Sequence, residues 1–339
     1  MSSYRVVLLY PLVVALLVAG CRQAPESSRG PATVASRASG SAPIIGFLSA
    51  AGGPSPLVEA FLQGLKELGY EDGRNIRIEY RWAKGDVEQL PALAGELARL
   101  PASVIVAGST PAIRAAMTTT STIPIVMAVS ADPVEQGFVA SLAQPGGNVT
   151  GLTSVSLALS AKRLEVLRDV LPSLARVAIL WNPDNPAKSL ELAEAQGAAQ
   201  EFGIPYLLSL PVRTPSEFAA AFDTASAEQV EALIVLGDPL FNRNHAQVVE
   251  LVRAHRLPAM FETPELVRTG GLMAYGPDVS DLFKRSAAYV DKILKGTKPG
   301  DLPVERPTHY YLVFNLPEAQ ALGVTIPPQV LRLANEVVR

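Results

Sequence analysis

The sequence predicts an α/β fold with two doubly wound parallel-sheet lobes in tandem. Three observations lead to this prediction. From residue 43 onward, short apolar runs alternate with amphipathic stretches of helical spacing. A turn-rich segment at residues 144–151 interrupts the alternation, which then starts again. The length of 339 residues suits two hydrophobic cores, at about 100–200 residues per domain.

Each predicted strand is a short apolar run, and each predicted helix has apolar residues three and four positions apart. In the first lobe we expect strands at residues 44–48, 76–80, 104–107 and 125–129, and helices at residues 58–68, 90–97 and 112–117. In the second lobe we expect strands at residues 177–181, 206–210, 232–236 and 258–261, and helices at residues 160–171, 186–202, 215–225 and 245–255. The remaining pattern predicts strands at residues 272–275 and 309–314, a helix at residues 279–294 ended by Gly296, and helical turns from residue 318. These late elements must complete sheets already begun, so we expect the chain to cross between the lobes more than once.

The composition excludes several classes of protein. With 48% hydrophobic residues and a net charge of −3, the chain has too much apolar material and too little charge for a disordered protein. A single cysteine excludes a disulfide scaffold. No block of Lys or Arg marks a surface for nucleic acid or for anionic lipid, so we expect small-molecule or protein partners and no nucleic acid.

The N-terminal segment has the features of an export signal. Arg5 precedes an apolar run at residues 6–20, which is shorter than the roughly 20 residues that a membrane-spanning helix needs. The run ends in Val18, Ala19, Gly20 and Cys21, which resembles the lipobox of bacterial lipoproteins and implies lipidation of Cys21. A buried or free thiol after an uncleaved anchor is the alternative. Residues 22–42, rich in Ser, Ala, Gly, Pro and Arg, are expected to be a flexible tether, which places the folded lobes outside the cytoplasm on a lipid anchor.

A recurring motif points to the carboxyl edges of the sheets. Five predicted strands are followed by a small polar residue and then proline, which are the preferred residues for beginning a helix. The pairs are Thr110–Pro111, Asp132–Pro133, Asn182–Pro183, Asp238–Pro239 and Thr263–Pro264. Each pair is first a helix cap. In an open parallel sheet these caps also share one edge, where ligands bind beside helix N-termini.

Two such edges facing each other would suit a zwitterion. We assign Ser109, Thr110 and Ser130 to a carboxylate, and Asp238, with Glu262 in reserve, to an ammonium group. Asp132 has either this role or a capping one. The predicted ligand-binding set is completed by Ser49, Asn182 and Tyr275, and the aromatic residues Phe47, Trp181, Phe241 and Tyr275 either line a side-chain pocket or pack in the core.

Signatures of catalysis are missing from the sequence. It has no Gly-x-Gly-x-x-Gly, Walker, Gly-x-Ser-x-Gly or His-Glu-x-x-His motif, and its three histidines, at positions 245, 255 and 309, have no metal-ligand spacing. We therefore predict no catalytic residue, no cofactor and no metal site. A hydrolase or isomerase remains an alternative, because a catalytic triad is defined by geometry rather than by sequence order.

Four separated blocks resemble one family. They are GFVASLAQPGGNVTG at residues 137–151, preceded by Asp132 and Pro133, GGLMAYGPD at residues 270–278, YVDKILKGTKPGDLPVERP at residues 289–307 and NLPEAQALGVTIP at residues 315–327. Together they resemble the ABC transporter substrate-binding proteins related to the tryptophan- and tyrosine-binding lipoproteins, over residues 44–327. The sequence departs from these relatives at Ser130–Pro133 (SADP), where they commonly have a Thr beside the Asp.

The resemblance implies a fold of the periplasmic-binding-protein-like type I, with two lobes joined by a three-crossing hinge. The first lobe would comprise residues 43–153 and 277–303, and the second residues 154–276 and 304–339. A monomer would capture a small solute between the lobes for an ABC permease, using Ser109 and Thr110 on one side and Asp238 and Glu262 on the other. The solute would be an amino acid, with an aromatic one indicated and branched amino acids or other small organic solutes open. A ligand sensor acting on a membrane receptor is the alternative.

Overall fold

Two β-sheets organise residues 42–339, which are the part of the chain that the computed structural model describes. The strands are β1 (Ile44–Ser49), β2 (Arg77–Trp82), β3 (Ala102–Ala107), β4 (Ile125–Ser130), β5 (Val149–Thr153), β6 (Arg176–Trp181), β7 (Tyr206–Pro211), β8 (Ala232–Val235), β9 (Ala259–Phe261), β10 (Met273–Pro277), β11 (Tyr310–Asn315) and β12 (Glu336–Val338). The helices are α1 (Pro56–Glu67), α2 (Leu90–Arg99), α3 (Thr110–Thr119), α4 (Ser156–Val170), α5 (Pro186–Glu201), α6 (Phe218–Ala227), α7 (Pro239–Arg243), α8 (His245–Ala254), α9 (Pro264–Arg268), α10 (Val279–Leu294), α11 (Leu316–Leu322) and α12 (Pro328–Leu331). The predicted Cys21 lipidation site and most of the predicted tether lie outside the described residues.

The first lobe is a five-stranded parallel sheet with helices on both faces. Its strand order is β2-β1-β3-β4-β5. Apolar residues of α1 and α10 cover one face, and apolar residues of α2 and α3 cover the other. Because α10 comes late in the sequence, the chain returns to this lobe after it has built most of the second one.

The second lobe is a seven-stranded sheet in the order β12-β11-β10-β9-β8-β6-β7. Neighbouring strands pair in parallel except for β10 and β11, so β11 and β12 run opposite to the other five strands. Two core clusters lie on its two faces. The predicted α/β class with two parallel-sheet lobes is therefore confirmed.

Three chain segments pass between the lobes and run side by side. The first joins β5 to α4, the second joins β10 to α10, and the third leads from α10 into β11. The third segment is hydrogen-bonded to β5, since the amide of Thr153 donates to the carbonyl of Glu305 and the amide of Glu305 donates to the carbonyl of Gly151, both at 3.0 Å. The second and third segments meet where the Asp278 amide donates to the His309 carbonyl at 3.2 Å.

Most predicted elements are observed, and the differences have local causes. Helix α10 has the predicted bounds. Strand β5 was missed because its first three residues, 149–151, were assigned to the turn-rich crossing, and Gly151 has an unusual φ of +132°. Strand β12 has only three residues, too few for a recognisable pattern. Within residues 42–339, no helix has both the length and the apolar composition required to cross a bilayer.

Candidate functional site

The carboxyl edge of the first sheet, called the first rim, carries serine and threonine side chains at the ends of β3 and β4. Ser109 is the N-cap of α3, but its hydroxyl makes no capping hydrogen bond. The Thr110 hydroxyl accepts a hydrogen bond from the Ala131 amide at 3.3 Å, which ties α3 to the end of β4. Ser130 ends β4 and is only 1% exposed. The structure therefore brings together the three residues that the sequence predicted for a carboxylate.

Unpartnered polar atoms are concentrated at the two sheet edges. Among the side chains that the structure describes, the buried polar atoms without a hydrogen-bond partner belong to four residues, namely Ser109, Ser130, Arg163 and Glu191, of which Arg163 is ion-paired with Glu262. An orphaned buried hydroxyl costs free energy, and native proteins keep few of them. The two serine hydroxyls lie beside the N-terminus of α3, whose first amide groups have no partner within the helix. Hydroxyls and a helix N-terminus together suit an anion.

An aromatic cluster lies beside the first rim. Trp82 ends β2 and is in register with Ser49 at the end of β1. Its ring stacks on that of Tyr80, with centroids 5.5 Å apart and planes 9° apart, and both rings contact Phe47. Phe47 is fully buried in the core, whereas Trp82 and Tyr80 are half-buried. Trp82 was missed because the predicted strand stopped at residue 80.

Two other predicted residues of the first rim, Ser49 and Asp132, accept hydrogen bonds from backbone amides of their own loops. The Ser49 hydroxyl accepts a hydrogen bond from the Ala51 amide at 3.1 Å. Asp132 Oδ1 accepts from the amides of Val134 and Glu135 at 3.1 and 3.2 Å. A turn, and not the expected helix, follows Asp132. The prediction that Asp132 begins a helix is therefore wrong, although this carboxylate does cap the turn.

The carboxyl edge of the second sheet, called the second rim, is centred on Asp238. Its carboxylate accepts hydrogen bonds from the side-chain amides of Asn182 and Asn185, at 3.1 and 2.8 Å, and from the Leu240 amide at 2.9 Å. Asp238 is the N-cap of α7. The prediction that Asn182 begins the next helix is wrong, because Asn185 caps α5. Asn182 instead orients Asp238.

A buried ionic cluster of Arg163, Lys188, Glu191 and Glu262 lies beneath the second rim. Arg163 Nη2 is 3.0 Å from Glu262 Oε1, and Lys188 Nζ is 2.6 Å from Glu191 Oε1 and 3.8 Å from Glu262 Oε2. The Gly237 amide donates to Glu262 at 2.6 Å. Backbone also fixes the cluster, because Arg163 Nε donates to the Tyr275 carbonyl at 2.9 Å.

Burial and neighbouring charges together shift two pKa values in this cluster. Arg163 and Lys188 share this space with the carboxyl groups of Glu191 and Glu262, and the charge of Asp238 also acts on Lys188. Burial raises the pKa of the Glu191 carboxyl, whose second oxygen has no hydrogen-bond partner among the described residues. Burial opposes the charge of Lys188, but Glu191 and Glu262 outweigh burial and raise the pKa of this amine. Glu262, the reserve candidate for the ammonium group of a solute, is thus already paired with Arg163 and Lys188.

The other aromatic residues singled out in the sequence have structural partners. Trp181 Nε1 donates to the Ser209 hydroxyl at 2.8 Å, and Phe241 is buried in the second-lobe core. Tyr275 stacks on Tyr310, with ring centroids 6.4 Å apart. In the part of the chain that the structure describes, no three His, Cys, Asp or Glu side chains form a group that could hold a metal ion.

The two rims face each other. Arg243, at the end of α7 on the second rim, donates from Nη1 to the carbonyl of Lys84, in the loop after β2 on the first rim. Its Cδ is also 4.0 Å from the position that a Cβ would take on Gly52, in the loop after β1. The space between the lobes is therefore bordered by both carboxyl edges.

Comparisons with known proteins agree on one family. Residues 47–338 match the family described as ABC transporter substrate binding protein. The chain is 27% identical over 266 residues to the tyrosine-binding protein of Clostridioides difficile (strain R20291), covering 78% of this chain and 76% of the relative. Both the family and this relative are solute-binding proteins and not enzymes.

Two solved structures have the same fold as this chain. One is the ABC domain in complex with L-Trp from Streptococcus pneumoniae, with a TM-score of 0.80, 26% identity and coverage of 88% of this chain and 100% of that one. The other is a conserved domain protein from Vibrio cholerae, with a TM-score of 0.80, 28% identity and coverage of 87% and 99%.

Proposed function

Because the chain belongs to the family of ABC transporter substrate binding proteins, we propose that it captures an amino acid between the two rims and delivers it to an ABC permease for import. The observation that carries the proposal is the pair of orphaned hydroxyls on Ser109 and Ser130 beside the N-terminus of α3. They offer donors for a carboxylate group, and the opposing rim offers an aspartate for an ammonium group. No bond is made or broken in this function.

Asp238 is the proposed partner of the ammonium group. Its two oxygens accept three hydrogen bonds, and an ionised carboxylate has about four acceptor sites, so one remains for a ligand. Two of the three donors are uncharged side-chain amides, which orient the carboxylate without neutralising it. Glu262 is balanced by Arg163 and Lys188, and we therefore give it the role of shaping the rim.

The stacked rings of Trp82 and Tyr80 support an aromatic amino acid as the solute. A half-buried indole next to Ser49 offers a flat apolar surface at the first rim, and offset stacking of aromatic rings contributes about 0.5–1.5 kcal/mol beyond buried area. Two similar proteins agree with this choice, since one is a tyrosine-binding protein and the other was solved in complex with L-Trp.

Capture would proceed by closure of a hinge at the three crossings. A solute that bridges the rims has higher affinity for the closed form and shifts the population toward it. We place the lobe boundaries at residues 43–153 with 277–303, and 154–276 with 304–339. We also propose that Cys21 carries the lipid and residues 22–42 the tether, so that a monomer works outside the cytoplasm.

Calorimetric titration tests the proposed function. The processed protein, stripped of co-purified solute by unfolding and refolding, is titrated with L-tryptophan, L-tyrosine, L-leucine and myo-inositol. We expect one amino acid per chain, with an aromatic one bound most tightly. Binding of myo-inositol without binding of any of the amino acids would refute the proposal.

Two variants test whether the carboxylate of the solute binds at the first rim. Ser109→Ala and Ser130→Ala each remove one hydroxyl, and we expect each to weaken binding by about 0.5–1.5 kcal/mol, the net contribution of one hydrogen bond. Ser173→Ala is the matched control, because this exposed serine precedes β6 at the opposite edge of the second sheet. Equal affinity of all three variants and the unmodified protein would remove the first rim from the site.

A further inference from the structure

We propose that Arg243 is a positioning residue for solute capture, which raises affinity by holding the two rims together without serving as a ligand itself. The inference rests on the proposed hinge closure and adds a residue outside the predicted ligand set. It is carried by the contact between Arg243 on the second lobe and the Lys84 carbonyl on the first.

The base of the Arg243 side chain is firmly fixed. Helix α7 has only five residues, but Leu240 and Phe241 bury their side chains in the second-lobe core. The Asp238 carboxylate caps the helix, and the Asp238 carbonyl accepts a hydrogen bond from the Asn242 amide at 3.0 Å. The guanidinium therefore extends from an anchored turn toward the other lobe, and Arg243 is an exposed residue.

The loop after β2 on the first lobe, which contains Lys84, is held in place by backbone hydrogen bonds. The amides of Ala83, Lys84 and Gly85 donate to the carbonyls of Ser49, Ala51 and Ala50 at 2.9, 3.1 and 2.8 Å, which joins the loops after β1 and β2. Lys84 and Gly85 have φ values of +52° and +87°, in the left-handed region that favours glycine. The Lys84 carbonyl of this loop accepts the hydrogen bond from Arg243 on the second lobe.

Gly85 also provides the space that the guanidinium occupies. A Cβ added at Gly85 would overlap the terminal atoms of the Arg243 side chain, and a Cβ at Gly52 would lie 4.0 Å from Arg243 Cδ. Arg243 thus sits in a socket formed by Gly52, Lys84 and Gly85. Both the Lys84 carbonyl and the absence of a side chain at Gly85 fit the guanidinium in this position.

The energetic consequence follows from linkage. A contact made only when the rims are together stabilises the closed form, and apparent affinity falls in proportion to the fraction of closed, binding-competent protein. The bond involves a charged donor but is exposed to water, so we expect a loss of about 2- to 10-fold in affinity on its removal, which corresponds to roughly 0.4–1.4 kcal/mol.

The test compares two variants with two matched controls in the processed full chain. Arg243→Ala removes the donor, and Gly85→Ala fills the socket. Arg99→Ala is the first control, because exposed Arg99 donates to the Gly95 carbonyl within its own helix at 3.0 Å. Gly73→Ala is the second control, since Gly73 has a φ of +79° but open space around it.

Two readouts are measured, namely the dissociation constant for L-tryptophan and the distance between spin labels at Lys66 on α1 and Glu250 on α8. For Arg243→Ala and Gly85→Ala we expect a dissociation constant about 2- to 10-fold higher and a label distance distribution shifted from that of the unmodified protein. The controls should leave both readouts unchanged. The double variant should lose no more than the stronger single variant, because both act on one contact.

The outcomes separate this inference from the proposed function. If the unmodified protein does not bind L-tryptophan, the label distances still report whether Arg243→Ala changes the arrangement of the lobes. A label distance distribution and, where binding occurs, an affinity that match those of the unmodified protein would overturn the role of Arg243. The same shift in the Arg99→Ala control would also overturn it.

Discussion

Asp238→Ala is expected to destabilise the second lobe strongly. The substitution removes the acceptor of three hydrogen bonds, from Asn182, Asn185 and the Leu240 amide. The three residues whose side chains form this network, Asp238, Asn182 and Asn185, are buried, with exposures of 3–5%. Water therefore replaces the lost acceptor poorly.

The magnitude follows from two contributions. Loss of a side-chain N-cap costs about 0.5–2 kcal/mol. Leaving a buried donor unpaired costs about 1–3 kcal/mol, and the two asparagine side chains can rotate to recover part of this loss. We therefore expect the free energy of unfolding to fall by about 2–5 kcal/mol in Asp238→Ala. Asp238→Asn keeps one carbonyl oxygen and should lose less.

Urea denaturation followed by far-ultraviolet circular dichroism at pH 7 measures these losses. Thr263→Ala is the control, because Thr263 is the N-cap of α9, also a five-residue helix, but makes no side-chain capping bond. We expect this control to lose under about 1 kcal/mol, since no capping bond is removed. A loss below about 1 kcal/mol for Asp238→Ala, or an equal loss for Thr263→Ala, would refute the reasoning.

Two further predictions concern packing and pH. Gly64→Ala should destabilise the first lobe by about 1–3 kcal/mol in urea denaturation, because its Cβ would overlap the Lys284 carbonyl of α10 and lie 2.9 Å from Ala287 Cβ. The control Gly197→Ala, at a helical site in open space, should not destabilise the protein. Equal effects of the two substitutions would contradict this reasoning. Glu191→Gln should change the pH dependence of unfolding. The pKa of Glu191 is raised in the folded protein, so this carboxyl stabilises the fold fully at pH values below its ordinary pKa of 4.5. The stabilisation is lost as pH rises through the raised pKa. The free energy of unfolding of the unmodified protein minus that of Glu191→Gln should therefore decrease from pH 4.5 upward, and a constant difference would contradict the assignment.

Local sequence patterns predicted the α/β class, most strands and helices, and the polar residues at the sheet edges. The reason is that apolar periodicity and helix caps are short-range signals. The predicted family and the prediction of a binding protein rather than an enzyme are confirmed by the matched family and its curated relative. The roles of Ser109, Thr110 and Ser130 stay predictions.

The ionic cluster could not be predicted from the sequence, because its members come from separate segments. Arg163 lies on α4, Lys188 and Glu191 lie on α5, and Glu262 follows β9. Only the spacing of Lys188 and Glu191, three apart on one helix, gives a local signal, and this spacing is usual for exposed pairs. Their burial depends on the packing of α5, which the sequence pattern does not reveal.

The Arg243 contact could not be predicted from the sequence for the same reason. It joins residues 159 positions apart in the sequence and depends on two left-handed backbone conformations in a short loop. The contact exists only because the carboxyl edges of two sheets face each other.

A crystal structure of the processed protein grown with L-tryptophan is the most direct test of solute capture between the rims. We predict electron density for one amino acid, with its carboxylate within hydrogen-bond distance of the Ser109 and Ser130 hydroxyls and its ammonium group at Asp238. Density for the amino acid on an outer face of either lobe, with both serine hydroxyls remote from it, would contradict the account.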